Sequence, residues 1–375
     1  MRASLLSARA VPRKAGTLRT GFSRFGFFDW RDVGASGSCG FVGLLAWSAE
    51  GGYVARVRDL ILQLLFVAGA GAAQLSAPTV YSGMCDASAA VAISSNLFVV
   101  ADDEDNKLRI YDANGGGAPV KAFDFSSFLR IDPKEPELDV EGAARIGNRI
   151  YWITGHGRNK NAKYRESRQR FFATDILETA NGPELKAVGK YYARLLVDLL
   201  TDPRFSSFGL AYGSQRAPKD RGGFNIEGLT ETPDGKLLIG FRNPIPKKRA
   251  LLVPLLNPGQ VVEGGAMKLG NPIQLDLQGR GVRAITLQAG EYIIIAGAYD
   301  TAARAQLYRW DGRSPAPTLV RMNWGSINPE AVVFYSGRRE AQVLSDDGTL
   351  KIARVPCKEL KDPMQRRFRA VRVTF

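Results

Sequence analysis

The sequence is poor in the residues that build many familiar metal and catalytic sites. Its 375 residues include one histidine and three cysteines. A single histidine excludes a multi-histidine metal centre, and the absence of any C-x-x-C pair or Cys/His cluster argues against a zinc site. The sequence also lacks P-loop, G-x-G-x-x-G, G-x-S-x-G and H-E-x-x-H motifs. The common nucleotide-binding, serine-hydrolase and zinc-protease classes therefore have no support.

Glycine and positive charge, by contrast, are abundant. The chain has 40 glycines and 19 prolines, with 45% hydrophobic and 23% charged residues, which fits a globular, turn-rich and mostly β protein. Its net charge of +14 favours an anionic partner, such as a phosphorylated ligand or a polyanion. Because the basic residues are scattered along the chain, a charge that serves only solubility is an equally good interpretation.

The first 73 residues differ from the rest of the chain. Residues 1–56 are rich in arginine and show no clear period. Arg56 and Arg58 then precede a short apolar run, and an A-x-A pattern follows at 70–72, which is the layout of a secretory signal peptide. The run is too short to span a membrane. A buried or amphipathic helix of a genuine N-terminal region is the alternative.

An apolar strand, a polar or glycine turn and a second apolar strand recur five times. These repeats occupy residues 85–112, 139–159, 225–244, 281–300 and 328–348. Equivalent positions in the five repeats are Ser88, Glu141, Glu227, Arg283 and Glu330. The steps between these positions are 53, 86, 56 and 47 residues, and three steps near 50 match the length of a propeller blade.

The sequence therefore predicts an all-β protein, a β-propeller with five or six blades. The long step carries an insertion, and the helical spacing of its apolar residues predicts a helical insertion at about 182–202. A two-sheet sandwich is the structural alternative. We predict three parts: residues 1–56, which are unstructured or lie upstream of the true start codon, a signal peptide at 57–73, and one propeller domain at 74–375. Such a protein would be periplasmic or secreted, with a mature chain that begins near Ala73 or Gln74.

Two cysteines, Cys85 and Cys357, remain after removal of the signal peptide. Cys85 lies just before the first repeated strand, and Cys357 follows the last strand pair. A propeller usually joins its first and last blades with strands from both ends of the chain, so the two residues could be neighbours and form a disulfide in an oxidising compartment. Two unrelated buried thiols remain the alternative.

Several long motifs resemble a bacterial family known only as domain of unknown function 3616. They are SGMCDASAAVAI, LFVVADDEDNKLRIY, DVEGAARIGNRIYWITGHGRNKNAK and FNIEGLTETPDGKLLIGFRNP, and the resemblance covers roughly residues 80–355. It implies a propeller-like fold, often behind a signal peptide, and no established activity. The E-G-L…P-D-G…L motif is more loosely similar to esterase-like phytase and gluconolactonase-type propellers, whose acidic residues hold a divalent cation in the central channel.

Acidic residues at equivalent strand starts predict a metal site on the propeller axis. Glu141, Glu227 and Glu330 would converge there, with Asp86 near the first repeat. Crowded glutamates need a cation, a shared proton or a basic partner, so we expect calcium or magnesium, with Arg283 as a possible partner. Alternatively, each glutamate accepts backbone N–H bonds and clamps its own turn.

A second set of candidates follows the strand ends. His156, Arg158 and Arg242 are the candidate catalytic residues, since a histidine serves as a general base near neutral pH and arginines grip carboxylate or phosphate. Ligand contacts are expected from Asn159, Lys160, Asn243 and Arg283. Asp102, Asp103 and Glu104 also follow a strand. A structural, hydrogen-bonded role is the alternative for His156.

These features leave two classes of function open. One is an exported hydrolase of esters or phosphoesters that uses the central acidic, cation-bound site. The other is a non-enzymatic propeller that binds a small anionic ligand or a protein partner. The basic run at 158–170 could track phosphates of a nucleic acid, but export argues against that role.

Overall fold

The computed structural model describes residues 74–300 and 302–374, which form a five-bladed β-propeller. The prediction of an all-β propeller is confirmed, with five blades rather than six in this part of the chain, and the two-sheet sandwich is excluded. The predicted extension at 1–56 and signal peptide at 57–73 lie outside the described residues. Within the described ranges, no helix is long and apolar enough to cross a membrane.

Four blades are four-stranded antiparallel sheets built from consecutive strands. The described part of the chain begins with β1 (Gln74–Leu75) and β2 (Thr79–Ser82). Blade 1 is β3 (Ala87–Ala92), β4 (Leu97–Asp102), β5 (Lys107–Asp112) and β6 (Lys121–Asp124). Blade 2 is β7 (Val140–Ile146), β8 (Arg149–Thr154), β9 (Phe171–Leu177) and β10 (Glu184–Tyr192). Blade 3 is β11 (Asn225–Glu231), β12 (Leu237–Asn243), β13 (Ala250–Leu255) and β14 (Ile273–Leu275). Blade 4 is β15 (Gly281–Gln288), β16 (Glu291–Gly297), β17 (Gln306–Trp310) and β18 (Thr318–Val320).

Blade 5 closes the ring with strands from both ends of the described chain. It contains β19 (Pro329–Phe334), β20 (Glu340–Ser345) and β23 (Arg367–Thr374). Both β1 and β2 pair antiparallel with β23, so the first described residues supply the outer edge of the last blade. A small hairpin of β21 (Lys351–Ile352) and β22 (Val355–Pro356) lies between β20 and β23.

The helical insertion is present, but it begins later than predicted. Residues 184–192 form strand β10, and helix α2 (Leu195–Thr201) follows, with a 3₁₀ turn at Pro203–Phe208 and α3 (Leu210–Gly213). The apolar residues before 193 belong to an outer strand, where pairing with β9 overrides the helical spacing. The other helical segments are α1 (Ser126–Leu129), α4 (Pro258–Val262) and 3₁₀ turns at Pro246–Lys248, Cys357–Glu359 and Pro363–Gln365.

The hydrophobic core is divided among the five interfaces between blades. Each interface has its own buried cluster; Trp152 and Val99, for example, pack between blades 1 and 2, and Phe98 and Phe368 pack between blades 5 and 1. Full burial of one such side chain contributes about 2–3 kcal/mol. The blades are thus fixed radially by packing on both neighbours, which holds their inner strands around a common axis.

Each inner strand carries a β-bulge at the same place. The pairing with the second strand of the blade slips by one residue at Glu141, Glu227, Arg283 and Glu330, and between Ala87 and Ala90 in blade 1. A bulged residue leaves the ladder, and its side chain is re-aimed. The five bulges therefore explain how one side chain from every blade reaches the axis.

A small residue follows each bulged residue because the inner strands crowd together. A Cβ added to Gly142 would lie 2.9 Å from the Leu229 Cβ, and one added to Gly228 would lie 2.7 Å from the Val282 Cγ1. Alanine takes this position in the other three blades, at residues 89, 284 and 331. In each recurring E-G or E-A pair, the glutamate thus faces the axis and the small residue lies at a close contact between inner strands.

Cys85 and Cys357 form a disulfide, with their Cα atoms 5.9 Å apart. The bond ties the segment leading into blade 1 to the last blade, 272 residues later. The alternative of two separate thiols is excluded. Structural disulfides persist in oxidising compartments and are rare in the cytosol of mesophiles.

Candidate metal centre

Five side chains, one from each inner strand, line a cavity on the propeller axis. This axial ring consists of Ser88, Glu141, Glu227, Arg283 and Glu330. Carboxylate oxygens of its three glutamates lie within 4.8 Å of one another. Because metal–oxygen bonds to hard cations are about 2.0–2.6 Å long, oxygens on opposite sides of one ion stand about 4–5 Å apart. The three glutamates are thus spaced to share a cation.

Glu227 is the most deeply buried of the three, with 3% of its surface exposed. Its Oε1 accepts hydrogen bonds from Arg242 Nη1 at 2.6 Å and from Asn225 Nδ2 at 2.7 Å. Its Oε2 is buried and has no hydrogen-bond partner among the described residues, as is true of Asn225 Oδ1. Since a buried oxygen without a partner is costly, this pair of free oxygens favours a ligand at the site.

The other two glutamates are held differently. Glu330 forms an ion pair with Arg283. Glu141 accepts a hydrogen bond from the Ser88 hydroxyl at 3.1 Å. No arginine or lysine within the described ranges forms an ion pair with Glu141, so it is the axial carboxylate whose charge is least compensated.

A second ring of polar side chains lies two residues before the axial ring in each of four blades. Its members are Asp86, Asp139, Asn225 and Asn328. Asp139 has a left-handed backbone, with φ at 61°, and its carboxylate pairs with Arg168 at 3.1 Å. Aspartate and asparagine are among the few non-glycine residues that adopt this conformation readily. The local sequence pattern is therefore D/N-x-E/S-G/A, with one polar residue for each ring.

The two rings line a cavity of about 720 Å³, the axial cavity. Its acidic lining residues are Asp86, Asp103, Glu104, Glu137, Asp139, Glu141, Asp220, Glu227, Glu330, Asp346 and Glu359. Its basic lining residues are Lys160, Arg168, Lys219, Arg242, Arg283 and Lys358. Acids outnumber bases here although the whole chain has a net charge of +14. The cavity is therefore better suited to a cation than the overall charge suggests.

The crowded carboxylates resist ionisation. Burial, followed by the neighbouring charges of Glu227 and Asp139, raises the pKa of Glu141 well above its usual range. Burial also raises the pKa of Asp139 to about 6, although the Arg168 guanidinium opposes that shift. Like charges in a buried space need a proton or a cation. A divalent ion would meet that need with oxygen ligands alone.

The family model described as "Protein of unknown function (DUF3616)" matches residues 86–186 and 174–338. The chain belongs to this family. The resemblance drawn from its motifs is confirmed, and no curated protein matches the chain.

Solved structures with a similar fold are distant in sequence. Myxococcus xanthus glutaminyl cyclase is 12% identical, with a TM-score of 0.44, and the match covers 81% of this chain and 98% of the cyclase. A PQQ-bound aldose sugar dehydrogenase from Streptomyces coelicolor is 11% identical, with a TM-score of 0.40, and the match covers 81% of this chain and 98% of that one. Similarity at this level carries no information about activity.

Four of the residues singled out in the sequence as ligand-binding or catalytic line the axial cavity of this DUF3616 protein. They are Asn159, Lys160, Arg242 and Arg283. The two arginines were expected to grip an anion, but both are already paired, Arg242 with Glu227 and Arg283 with Glu330. The fork of Arg242 also donates to backbone oxygens of Ala298 and Asp300. These guanidiniums position the axial carboxylates, which leaves little capacity for an anionic ligand.

Three other predicted site residues do not line the axial cavity. His156 is buried, with 1% exposed, and its Nδ1 donates to the Thr154 backbone oxygen at 2.8 Å. Arg158 donates to loop oxygens of Ala162, Ser214 and Gln215. The Asn243 amide donates to the backbone oxygens of Pro218 and Asp220. These hydrogen bonds hold the surrounding loops, and a catalytic or ligand-binding role for the three residues stays a prediction.

Replacing His156 with asparagine is expected to flatten the loss of stability in acid. Burial lowers the pKa of His156 from 6.5 to about 4, so the folded protein keeps it neutral while the unfolded chain protonates it. Its contribution is present above pH 6.5 and falls by about 3 kcal/mol as the pH drops to 4. Asparagine tolerates the φ of 54° found at this position.

Urea unfolding of the wild type and of His156→Asn between pH 7 and pH 4 measures this effect. The difference in unfolding free energy between the two proteins should shift in favour of the variant as the pH falls. Parallel pH curves for the two proteins would show that His156 is not held neutral by burial.

The residues that sequence reasoning missed belong mainly to the second ring. Asp139, Asn225 and Asn328 were not among the candidates, and neither was Arg168, which pairs with Asp139. A signal was available, because the D/N-x-E/S-G/A pattern recurs at the start of four inner strands. Arg168 has no such signal, since only the folded loop after β8 brings it to the cavity.

Proposed function

We propose that this chain is an exported propeller that binds calcium or magnesium at the axial ring and hydrolyses an ester or phosphoester there. The observation that carries the proposal is the convergence of Glu141, Glu227 and Glu330, whose carboxylate oxygens lie within 4.8 Å of one another. An all-oxygen set of carboxylate and amide groups is what hard divalent cations prefer. The unpartnered Glu227 Oε2 and Asn225 Oδ1 support the same interpretation.

Different residues of the chain would have different roles at such a site. The three glutamates would hold the ion, with Glu227 and Glu330 oriented by Arg242 and Arg283. A bound cation would polarise the carbonyl or phosphoryl oxygen of the substrate and acidify a bound water. Asp139 lines the same cavity and is fixed by Arg168, and its carboxylate would accept a proton from the attacking water and return it to the oxygen of the leaving group.

The test is metal content together with turnover. The full-length protein is purified without chelator, its calcium and magnesium are measured by mass spectrometry, and hydrolysis of generic carboxyl-ester and phosphoester substrates is followed. We expect bound metal, activity that disappears after chelation, and activity that returns when Ca²⁺ or Mg²⁺ is added back. Activity that survives complete removal of metal would overturn the cation-dependent mechanism.

Export is the second part of the proposal. The basic, apolar and small-residue segments before residue 74 support it, and so does the Cys85–Cys357 disulfide. N-terminal sequencing of the native protein should give a mature chain that begins near Ala73 or Gln74. A mature chain that begins at Met1 and stays in the cytoplasm would contradict export.

A non-enzymatic binding propeller is the second candidate function, and two observations favour it. The predicted general base, His156, does not line the axial cavity, and the three cavity arginines are engaged in ion pairs. The site would then capture a cation, or a partner through that cation, without chemistry. Bound metal with no turnover on either substrate class in the test above is the result expected for this alternative.

A further inference from the structure

A second carboxylate cluster lies at the start of blade 1, apart from the three axial glutamates. It consists of Asp86, at the start of the inner strand, and Asp102 and Asp103, at the end of the second strand. One carboxylate oxygen from each of the three lies within 4.8 Å of those from the other two. The two strands pair side by side, and the Asp103 N–H donates to the Asp86 backbone oxygen, so the backbone fixes the cluster.

Asp86 provides an independent sign that the cluster holds a ligand. The residue is 5% exposed, it lines the axial cavity, and its Oδ2 has no hydrogen-bond partner among the described residues. The fold also reserves space for this carboxylate, since a Cβ at Gly348 would overlap it. A buried carboxylate with an unpartnered oxygen, packed beside two other aspartates, is unstable without a proton or a positive ion beside it.

The cations already present nearby do not fill that position. Lys358 forms an ion pair with Glu104 at 2.7 Å, and Arg109 pairs with Asp105. Among the described residues, none of the three clustered aspartates forms an ion pair with a lysine or arginine. Three oxygens at this spacing, with no nitrogen or sulfur ligand in the group, match the preference of Ca²⁺.

We propose that Asp86, Asp102 and Asp103 form a second Ca²⁺ site, separate from the axial ring. The proposal does not depend on the function proposed for the axial glutamates, because the two ligand sets share no residue. Binding here would neutralise the three aspartates that the pairing of β3 with β4 brings together. The site would lie at the junction of the first and last blades, where a bound ion would have a structural role.

The disulfide places this site at the point of closure. Asp86 directly follows Cys85, and Lys358, whose ion pair with Glu104 borders the same cavity, directly follows Cys357. The Asp347 N–H also donates to the Cys85 backbone oxygen. Opening the disulfide removes the covalent link next to Asp86, while the backbone hydrogen bonds of this segment remain, so reduction is expected to weaken Ca²⁺ binding at this site without abolishing it.

The experiment counts the Ca²⁺ ions bound by chelator-treated full-length protein, using equilibrium dialysis and calorimetric titration. Wild type is compared with Asp86→Asn, with Glu141→Gln and with the control Asp105→Asn. The control removes a carboxylate from the same loop region, one that pairs with Arg109 and lies outside the cluster. We expect two ions in wild type and in the control, and one ion in each of the other two variants.

Each ion count supports or overturns the second Ca²⁺ site. One ion in wild type that is lost in Glu141→Gln and kept in Asp86→Asn would overturn the second site and leave the axial proposal standing. One ion that is lost in Asp86→Asn and kept in Glu141→Gln would support the second site and overturn the axial one. No bound Ca²⁺ in wild type would overturn both. If Asp86→Asn does not fold, Asp102→Asn takes its place, since its amide oxygen can still accept the Glu104 N–H.

Discussion

Replacing Glu141 with glutamine is expected to lower the affinity of the axial ring for Ca²⁺ by at least about 100-fold, because one of three charged ligands becomes neutral. The metal-free protein should be as stable as the wild type or more so. Glu141 has no ion-pair partner among the described residues, and its pKa is raised by burial and by Glu227 and Asp139, so its charge opposes folding. Glutamine keeps an oxygen that can accept from Ser88.

Opposite effects on binding and stability distinguish a ligand from a structural residue. Calorimetric Ca²⁺ titration and thermal unfolding in chelator measure the two quantities, and turnover of any active substrate should fall with affinity. The matched control is Glu231→Gln, on inner strand β11, which does not line the axial cavity and should leave Ca²⁺ binding unchanged. An unchanged affinity in Glu141→Gln, or a large loss of stability with normal binding, would contradict the assignment.

Removing the disulfide with the double change Cys85→Ala and Cys357→Ala is expected to lower the free energy of unfolding by about 2–5 kcal/mol. The bond joins residues 272 positions apart, and cross-linking so long a loop restricts the unfolded chain strongly. The strands of blade 5 still hold the ring closed in the variant, since β1 and β2 pair with β23. The variant should therefore fold but unfold at lower urea concentration.

Reduction of the wild-type protein provides the internal control. Urea unfolding in strong reductant should bring the wild type close to the double variant and leave the variant itself unaffected. Equal free energies of unfolding for the oxidised wild type and the variant would show that pairing of the terminal strands stabilises the closed ring and that the disulfide adds no stability.

The repeats gave the architecture because strand periodicity and blade length are local properties. Apolar alternation and turns with glycine are visible in a single sequence, and the same position of each repeat proved to be the bulged residue that faces the cavity. The spacing of the apolar residues before residue 193 predicted a helix where the structure has a strand, and the reason is physical. Pairing with β9 determined the structure of that segment, and pairing is not local.

The ion pairs of the two arginines and the burial of the histidine could not be predicted from the sequence. Arg242 and Glu227 are 15 residues apart on neighbouring strands, and Arg283 meets Glu330 from a different blade. The first pair forms within blade 3 and the second only when blades 4 and 5 assemble, and together they turn two expected anion-binding groups into supports for carboxylates. Burial of His156 likewise depends on loops that fold over it, including the Arg168 segment whose backbone oxygen accepts its N–H.

The sequence by itself determined the five repeats, the family, the three acids that face the axis and the two cysteines at the ends of the ring. Tertiary structure alone decided which charges are neutralised: Glu227 and Glu330 have arginine partners, whereas Glu141, Asp86, Asp102 and Asp103 have none among the described residues. Spacing along the chain fixes which side of a strand a residue faces. The balance of charge in a buried space depends on distances between blades, because electrostatic energy varies with separation and burial rather than with position in the sequence.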